Sequence, residues 1–475
     1  MILRTGDPAG MDWDVEVDVL VIGCGGCGLV AGLAAAEQGA RVLIVEKEDK
    51  AGGNTSLSQG MFPASGSRVQ MAAGVDDSPE IMAADIFKKN KNQSDPELTR
   101  FIARESGRVI DWLTDSLSIR LELVTGFLYP GHSRHRIHAP RTTKGDWLVN
   151  RLLEAAGRFE NLDIAYGAPA RRLVADQGEG AVRGAEVDIA GVGLNLARAR
   201  KTILAVNGFG ANKEMVAQYI PQMAQALYFG HEANDGLGIL WGQALGADLS
   251  SLSAYQAHGS VAHPQGTLLT WAVISLGGYQ VNLQGERFVN EDHGYSEHAL
   301  EVLAQPEGVA IEIFDQRIYD QVKDFEDFRQ CLEMGAVKRF ATIEELASGF
   351  RLSPRHLSRT HRDYQAAAGG SAADPLGRTG IPRPLAPPFY GVRVTGALFH
   401  TQGGLMINTK AQVVRPDGRP IGNLFAGGGT AVGLSGQGGS GYLSANGLLA
   451  ALTLGKVAGQ EAGQAVKGEV SAEGA

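Results

Sequence analysis

Three glycines and one acid carry the first legible chemistry. Gly23, Gly25 and Gly28 follow an apolar, β-branched run at 17–22 and precede a helical pattern at 29–38 that Gly39 closes. That order supplies the tight turn, the close backbone approach and the close helix packing that a pyrophosphate loop needs, with helix N-terminal amides facing the phosphates. A second strand, 41–45, delivers Glu46, spaced to meet adenosine ribose hydroxyls. An acid there disfavours the phosphorylated ribose of NADP. In a chain of 64 glycines the triad alone would be weak evidence, but the flanking strand, helix, second strand and acid make it a nucleotide site rather than an ornamental turn. The contacts expected here are Gly23, Gly25, Gly26, Cys27, Gly28, Glu46 and Lys47.

A second glycine-rich segment, 400–448, lies far along the chain. Residues 423–426 read as a short strand, and 427–441 are too glycine-dense to pack side chains, which suits a backbone lying against a flat ring. A helix is expected from about residue 445 to about 457. Its positive N-terminal end suits the charge that appears on a flavin taking up hydride. The bland alternative is a flexible linker, weakened by the strand before it and the helix after it. Two such cradles so far apart make sense on one sheet around one long cofactor, most simply FAD bound without a covalent link.

Positioning them takes a large chain, and this one has 475 residues, 44% hydrophobic and 20% charged. The expected fold class is α/β: a Rossmann-like FAD-binding domain of the two-dinucleotide-binding type, with an inserted α+β cap domain. The first part runs over 14–252, the cap over 253–396 and the second part over 397–467. Helices are expected at 98–113 and 146–156, then short strands with hairpin turns over 164–206. The segment 202–210 is a strand running into a glycine turn, which brings Asn207 and Gly208 to the nucleotide. Charged helices are expected at 318–334 and 343–349, a proline-rich extended linker at 381–389, and strands over 389–414 closed by Pro416-Asp417-Gly418.

A net charge of −9 without basic blocks excludes a nucleic-acid partner. The N-terminus lacks a cationic start with an apolar core, and no run of eighteen apolar residues occurs, so a cytoplasmic protein with no membrane span is expected. Three cysteines make no disulfide framework. Cys24 and Cys27 form a C-x-x-C inside the phosphate loop and read as small fillers. No iron–sulfur or zinc spacing occurs, so no metal is expected, and electrons must leave through a soluble or protein acceptor.

Further motifs carry a resemblance. The run Gly52-Gly53-Asn54-Thr55-Ser56, the hexapeptide Glu286-Arg287-Phe288-Val289-Asn290-Glu291, His400-Thr401-Gln402-Gly403-Gly404 and the closing glycine loop together resemble the flavoprotein family of soluble fumarate reductases and 3-ketosteroid dehydrogenases, over about 14–459. The resemblance implies FAD between a nucleotide-binding domain and a mobile cap, with a small-molecule substrate stacked on the isoalloxazine. It adds Gly53, Asn54, Thr55, Ser58, Gly60, Gly404, Gly428, Gly429, Ser444, Asn446 and Leu448 to the cofactor contacts. Gly429 replaces a glutamate that commonly meets the ribityl chain, so that contact stays unassigned.

By the same resemblance His258 and Thr270 match substrate-side residues of fumarate reductases, and His400 matches the histidine of their HTxGG turn. Three positions depart from that branch. Trp271 replaces a proton-relaying glutamate, Tyr295 the proton-donating arginine, and Tyr442 the arginine that grips a carboxylate. Paired guanidinium groups and a relay suit a dianion; tyrosines bring no fixed charge, and a dicarboxylate enclosed here would be partly uncompensated. Tyrosine similarly placed in 3-ketosteroid dehydrogenases implies Tyr295 as the base that takes a proton α to a carbonyl. Tyr442 and Ser444, which resemble the Tyr-x-Ser of the branch that desaturates at the 4,5 bond, would then bind the carbonyl. The bland alternatives are core or interface tyrosines, a satisfied core histidine at 258 and a packing tryptophan at 271.

One cluster stands apart: Tyr129, His132, Arg134, His135, Arg136, His138 and Arg141. It reads either as a carboxylate or acyl-carrier site, with Tyr129 shaping the pocket, or as a solvated loop anchored by one structural Arg–His pair. Three functions follow: an FAD-dependent dehydrogenase that places a double bond next to a ketone on a cyclic or steroid-like substrate; a fumarate reductase-like enzyme of unsaturated carboxylic acids; or a non-enzymatic flavin sensor.

Overall fold

The computed structural model describes residues 1–473 except Phe127, Thr143 and Glu179, and only the backbone of residues 470, 472 and 473. The chain forms two compact units. One comprises Met1–Ile220, Gly230–Tyr255 and the chain from His400 onward; the other comprises Pro221–Phe229 and Gln256–Phe399.

In the first unit the run predicted as a buried strand is Val15–Ile22, whose Val19, Leu20 and Val21 are fully buried. It lies parallel to Val42–Val45 on one side and to Gly193–Leu204 on the other. Gly193–Leu204 also pairs in parallel with Pro420–Ala426, so Ile22 and Ala426 both lie opposite Leu204. Three strands therefore finish level, and each runs into a cofactor segment named above: Gly23, Asn207 and Gly428. Ligands of open α/β sheets bind at such carboxyl ends. Ala170–Asp176, Val182–Ile189 and Gly193–Leu204 form the expected antiparallel hairpins. Ile2–Thr5 adds an unforeseen parallel strand beside Ala170–Asp176.

The helix Gly26–Glu37 is almost wholly buried, and the C-terminal helix Asn446–Glu473 packs along it. That second helix was expected to end near residue 457. It continues because Gly455, Gly459 and Gly463, one helical turn apart, pack close to the first helix: an added Cβ would run into the Cys27 and Ala31 carbonyls at the first two and into the Gln38 side chain at the third. Close packing outweighs the low helix propensity of glycine. Helices Pro96–Asp115 and Gly145–Ala156 lie near their expected places, the first with the Asp95 side chain accepting from Leu98 N at 2.7 Å.

The second unit has a sheet with Phe389–Thr401 and Val309–Asp315 antiparallel at its centre. Its core is aromatic: Phe314 stacks on Tyr390 at 5.5 Å, and Tyr279 lies 4.4 Å from Tyr364. The helix expected at 318–334 is two helices, Gln316–Val322 and Glu326–Glu333, separated where Phe325 turns extended to cap the second. A helix over Pro354–Ala368 went unforeseen, although Ser353 caps it and proline opens it. Among the described residues no helix is long and apolar enough to cross a membrane.

Candidate functional site

The loop expected to cradle phosphate is built from backbone. Gly23 has φ +104°, and a side chain at Gly28 would strike the Gly23 carbonyl, so the turn and the helix approach both demand glycine. The helix from Gly26 has a glycine, Gly25, at its N-cap and no acid in its first turn, so its positive end suits an anion. Glu46 is held by Cys24 N at 2.7 Å and Glu48 N at 3.1 Å, one on each oxygen. Gly26 N donates to Thr55 Oγ1 at 3.2 Å, and Ser58 Oγ accepts from Gly60 N at 3.0 Å. Burial pushes the Cys24 and Cys27 thiols up to about 12, so neither is a thiolate.

Other expected contacts have partners of their own. Lys47 Nζ binds Asp235 Oδ2 at 2.8 Å and Ala233 O at 2.7 Å, and Asn54 Oδ1 accepts from His231 N at 2.7 Å. Asn207, at φ +64°, accepts Gly208 N on its side chain at 2.9 Å and Thr430 Oγ1 on its carbonyl at 2.9 Å. A Cβ on Gly429 would strike the Asn207 side chain, and one on Gly404 the Thr430 carbonyl. Asn446, the first residue of the C-terminal helix, is fully buried, and neither Oδ1 nor Nδ2 has a partner among the described residues. A buried primary amide with both ends unsatisfied is costly unless a polar ligand meets it. The backbone cradle and that amide fit FAD, the Glu46 end suiting its ribose and the Asn446 end a polar ring edge. Buried Leu448 follows two residues later.

Also in the first unit, His400 and Tyr442 meet edge to face at 5.6 Å. The Tyr442 hydroxyl accepts from Gly447 N at 3.4 Å in the first turn of the C-terminal helix. Burial pushes this phenol up to about 12 and His400 down to about 4, so both are uncharged at neutral pH. Ser444 Oγ donates to Pro130 O at 3.2 Å, and the Ser444 carbonyl faces His132 Nε2 at 3.0 Å. The Ser444 hydrogen is thus committed, leaving that hydroxyl lone pairs rather than a donor. Half-buried Tyr129 stands at the turn that His132 N closes onto Tyr129 O, at 3.1 Å.

In the second unit His258 stacks on Tyr295 at 5.0 Å and 18°, with Trp271 edge-on to His258 at 5.6 Å and 6.1 Å from Tyr295. Phe399 lies 5.7 Å from His258. His258 Nδ1 accepts from Ser260 N at 3.1 Å, which leaves its proton on Nε2, and burial pushes this histidine down to about 3. Thr270 is buried at the start of the turn Ala272–Ser275, its Oγ1 facing Ala272 N at 3.4 Å.

The second unit also holds residues to which the sequence reading gave no role of their own. Arg287 grips Glu291 through two bonds, at 2.9 and 2.6 Å, and pairs with Asp374; Arg378 binds Asp292 at 3.0 Å and the Ile274 carbonyl at 2.6 Å. The hexapeptide ahead of Tyr295 is thus a scaffold for the turn that presents it. Glu312 Oε2 accepts from Ser260 Oγ at 2.6 Å and Gln280 Nε2 at 2.8 Å, while Gln280 Oε1 faces His298 Nε2 at 2.9 Å under Trp271. A lone acid in the apolar strand 309–314 was the available signal for Glu312.

In the basic cluster the anchor is an arginine between two carboxylates rather than the expected Arg–His pair. Arg136 is fully buried between Asp77, at 2.9 Å, and Asp85, at 2.6 Å. His138 Nε2 lies 2.8 Å from Ser67 Oγ, and Arg141 is exposed with Glu122 3.2 Å away. Burial pushes His132 and His138 down to about 4, so both are neutral.

Residues 18–448 match the FAD binding domain family. The chain is similar to a probable fumarate reductase of Shewanella frigidimarina, 31% identical with 94% of this chain and 74% of the relative covered. Among solved structures it is similar to a flavocytochrome c3 fumarate reductase in an open conformation, at TM-score 0.81 and 29% identity, covering 96% of this chain and 79% of that one. It is also similar to a 3-ketosteroid-Δ4-(5α)-dehydrogenase of Rhodococcus jostii in complex with 4-androstene-3,17-dione, at TM-score 0.77 and 26% identity, covering 97% and 100%.

Proposed function

The chain belongs to the FAD binding domain family, as an FAD-dependent oxidoreductase acting on carbon–carbon bonds, and from that premise we propose that it desaturates a ketone next to its carbonyl group. Identity does not choose the substrate, since the fumarate reductase relative is the more similar in sequence and the steroid dehydrogenase nearly as similar in fold. One observation carries the proposal. Trp271, Tyr295 and Tyr442 bring no charge, burial keeps His258 and His400 neutral, and Arg136 in the basic cluster is spent on carboxylates. A dicarboxylate held by either set, His400 and Tyr442 in the first unit or His258, Trp271 and Tyr295 in the second, would leave a buried charge unpaired, at several kcal/mol, roughly the cost of breaking a buried ion pair.

A neutral ketone needs a hydrogen-bond donor at oxygen and a base at the α carbon. Tyr442 serves as the donor: its oxygen accepts from Gly447 N, and its proton, secure below about pH 12, polarises the carbonyl and supports the developing enolate. Tyr295 is assigned the α proton, with the His258 ring against its face and Trp271 as an apolar wall for a ring-shaped substrate. Ser444 orders the Tyr442 loop through Pro130 instead of donating to the carbonyl. FAD, non-covalent in this proposal, would supply the acceptor for the hydride leaving the β carbon, and a soluble or protein acceptor would take the two electrons onward. Anaerobic mixing with the yellow holoprotein tests this: 3-ketosteroid or cyclohexanone should bleach it and succinate should not. Bleaching by succinate with none by any ketone would transfer the assignment to the carboxylic-acid alternative.

A further inference from the structure

His400 Nδ1 has two polar neighbours that ask for opposite tautomers: Gln402 Nε2 at 3.1 Å, which can only donate, and the Thr401 carbonyl at 3.4 Å, which can only accept. Ser435 decides between them. It is fully buried in the closing glycine loop, its hydroxyl 3.0 Å from Gln402 Oε1 and with no other partner among the described residues; donating to that oxygen uses its one hydrogen, whereas a reversed amide would leave that hydrogen without an acceptor, so the amide NH₂ faces the imidazole. Gly433 N also donates to the Gln402 carbonyl at 2.8 Å, so the backbone holds the residue against the same loop. The Thr401 contact, at the limit of hydrogen-bond length, is the weaker. Nδ1 therefore carries the lone pair and Nε2 the proton. Nε2 lies 3.0 Å from where a Cβ on Gly447 would sit, and Gly447 is the residue whose amide reaches the Tyr442 hydroxyl.

We propose that Gln402 and Ser435 are positioning residues that lock His400 as a neutral Nε2–H donor, and so set the site to receive an uncharged carbonyl oxygen rather than a carboxylate. The selectivity rests on the ketone assignment above; the lock does not. A carboxylate favours a ring protonated on both nitrogens, and a proton on Nδ1 would face the N–H of Gln402 with no acceptor nearer than the distant carbonyl.

The test uses full-length, FAD-loaded protein with 15N-labelled histidine, the His400 signals being assigned by their loss in His400→Asn. At neutral pH Nδ1 should be unprotonated and Nε2 protonated. Gln402→Glu supplies an acceptor, so the proton should move to Nδ1 and KM for cyclohexanone should rise about tenfold with flavin content unchanged. Ser435→Ala, the second variant, should give a mixture of tautomers. A proton on Nδ1 in the unsubstituted protein, or Gln402→Glu with unchanged tautomer and KM, would overturn the lock. A locked tautomer in a protein that no ketone bleaches overturns the selectivity and the substrate assignment, and leaves the lock standing.

Discussion

At Tyr295 a single oxygen separates a base from a packing residue. Tyr295→Phe keeps the stack on His258, so flavin content and stability should persist while kcat falls by about 10²- to 10⁴-fold, the usual share of a general base. Normal turnover by that variant, measured with a ketone, would remove Tyr295 from the chemistry. Glu312 makes a second prediction. Burial raises its carboxyl from 4.5 to about 7, so between those values the folded protein holds a proton that the unfolded chain has lost. Stability from this group is full below pH 4.5 and is lost as pH rises through about 7. Glu312→Gln keeps an acceptor for Ser260 and Gln280 without a charge, and at pH 8 it should be more stable than the parent by an order of 1–3 kcal/mol in denaturant titration, with no gain at pH 4.5. Tyr295, Trp271 and His258 were legible as types in a motif. Glu312, Gln280 and His298 were not, because their properties come from neighbours in separate strands and helices.

Among the elements, the C-terminal helix shows where local propensity misleads. Its glycines look like breakers, yet Gly459 lies where any side chain would strike the Ala31 carbonyl. Gly459→Leu should cost at least about 1–3 kcal/mol by forcing the two buried helices apart, read as a lower urea midpoint. Gly468→Ala, in the same helix with open space around it, should be neutral or stabilising by up to about 1 kcal/mol. Equal gains in both would show that propensity rather than packing governs the helix. The split at 323–325 and the helix Pro354–Ala368 were missed for related reasons: one periodic run spanned a break, and a Ser-Pro start sat in a segment with few buried apolar side chains.

For the whole molecule, FAD should act as a folding partner of the first unit, since Asn446 is buried with both amide atoms unsatisfied among the described residues. Stripping it should lower Tm, and adding it back at a hundred times Kd should restore about 2.7 kcal/mol. Acid precipitation should release the yellow colour into the supernatant; colour retained in the pellet would mean a covalent link. The sequence alone determined the glycine turn, the acid after the second strand and the closing glycine loop, because each is written in residues a few positions apart, while the tyrosines in place of arginines came from the family resemblance. Only the tertiary structure decided which charges are free and where imidazole protons sit. Arg136 meets Asp77 and Asp85 across 51–59 positions, Arg378 meets Asp292 across 86, and Ser435 reaches Gln402 across 33. Charge pairing and tautomer follow from distances in space, which spacing along the chain does not specify.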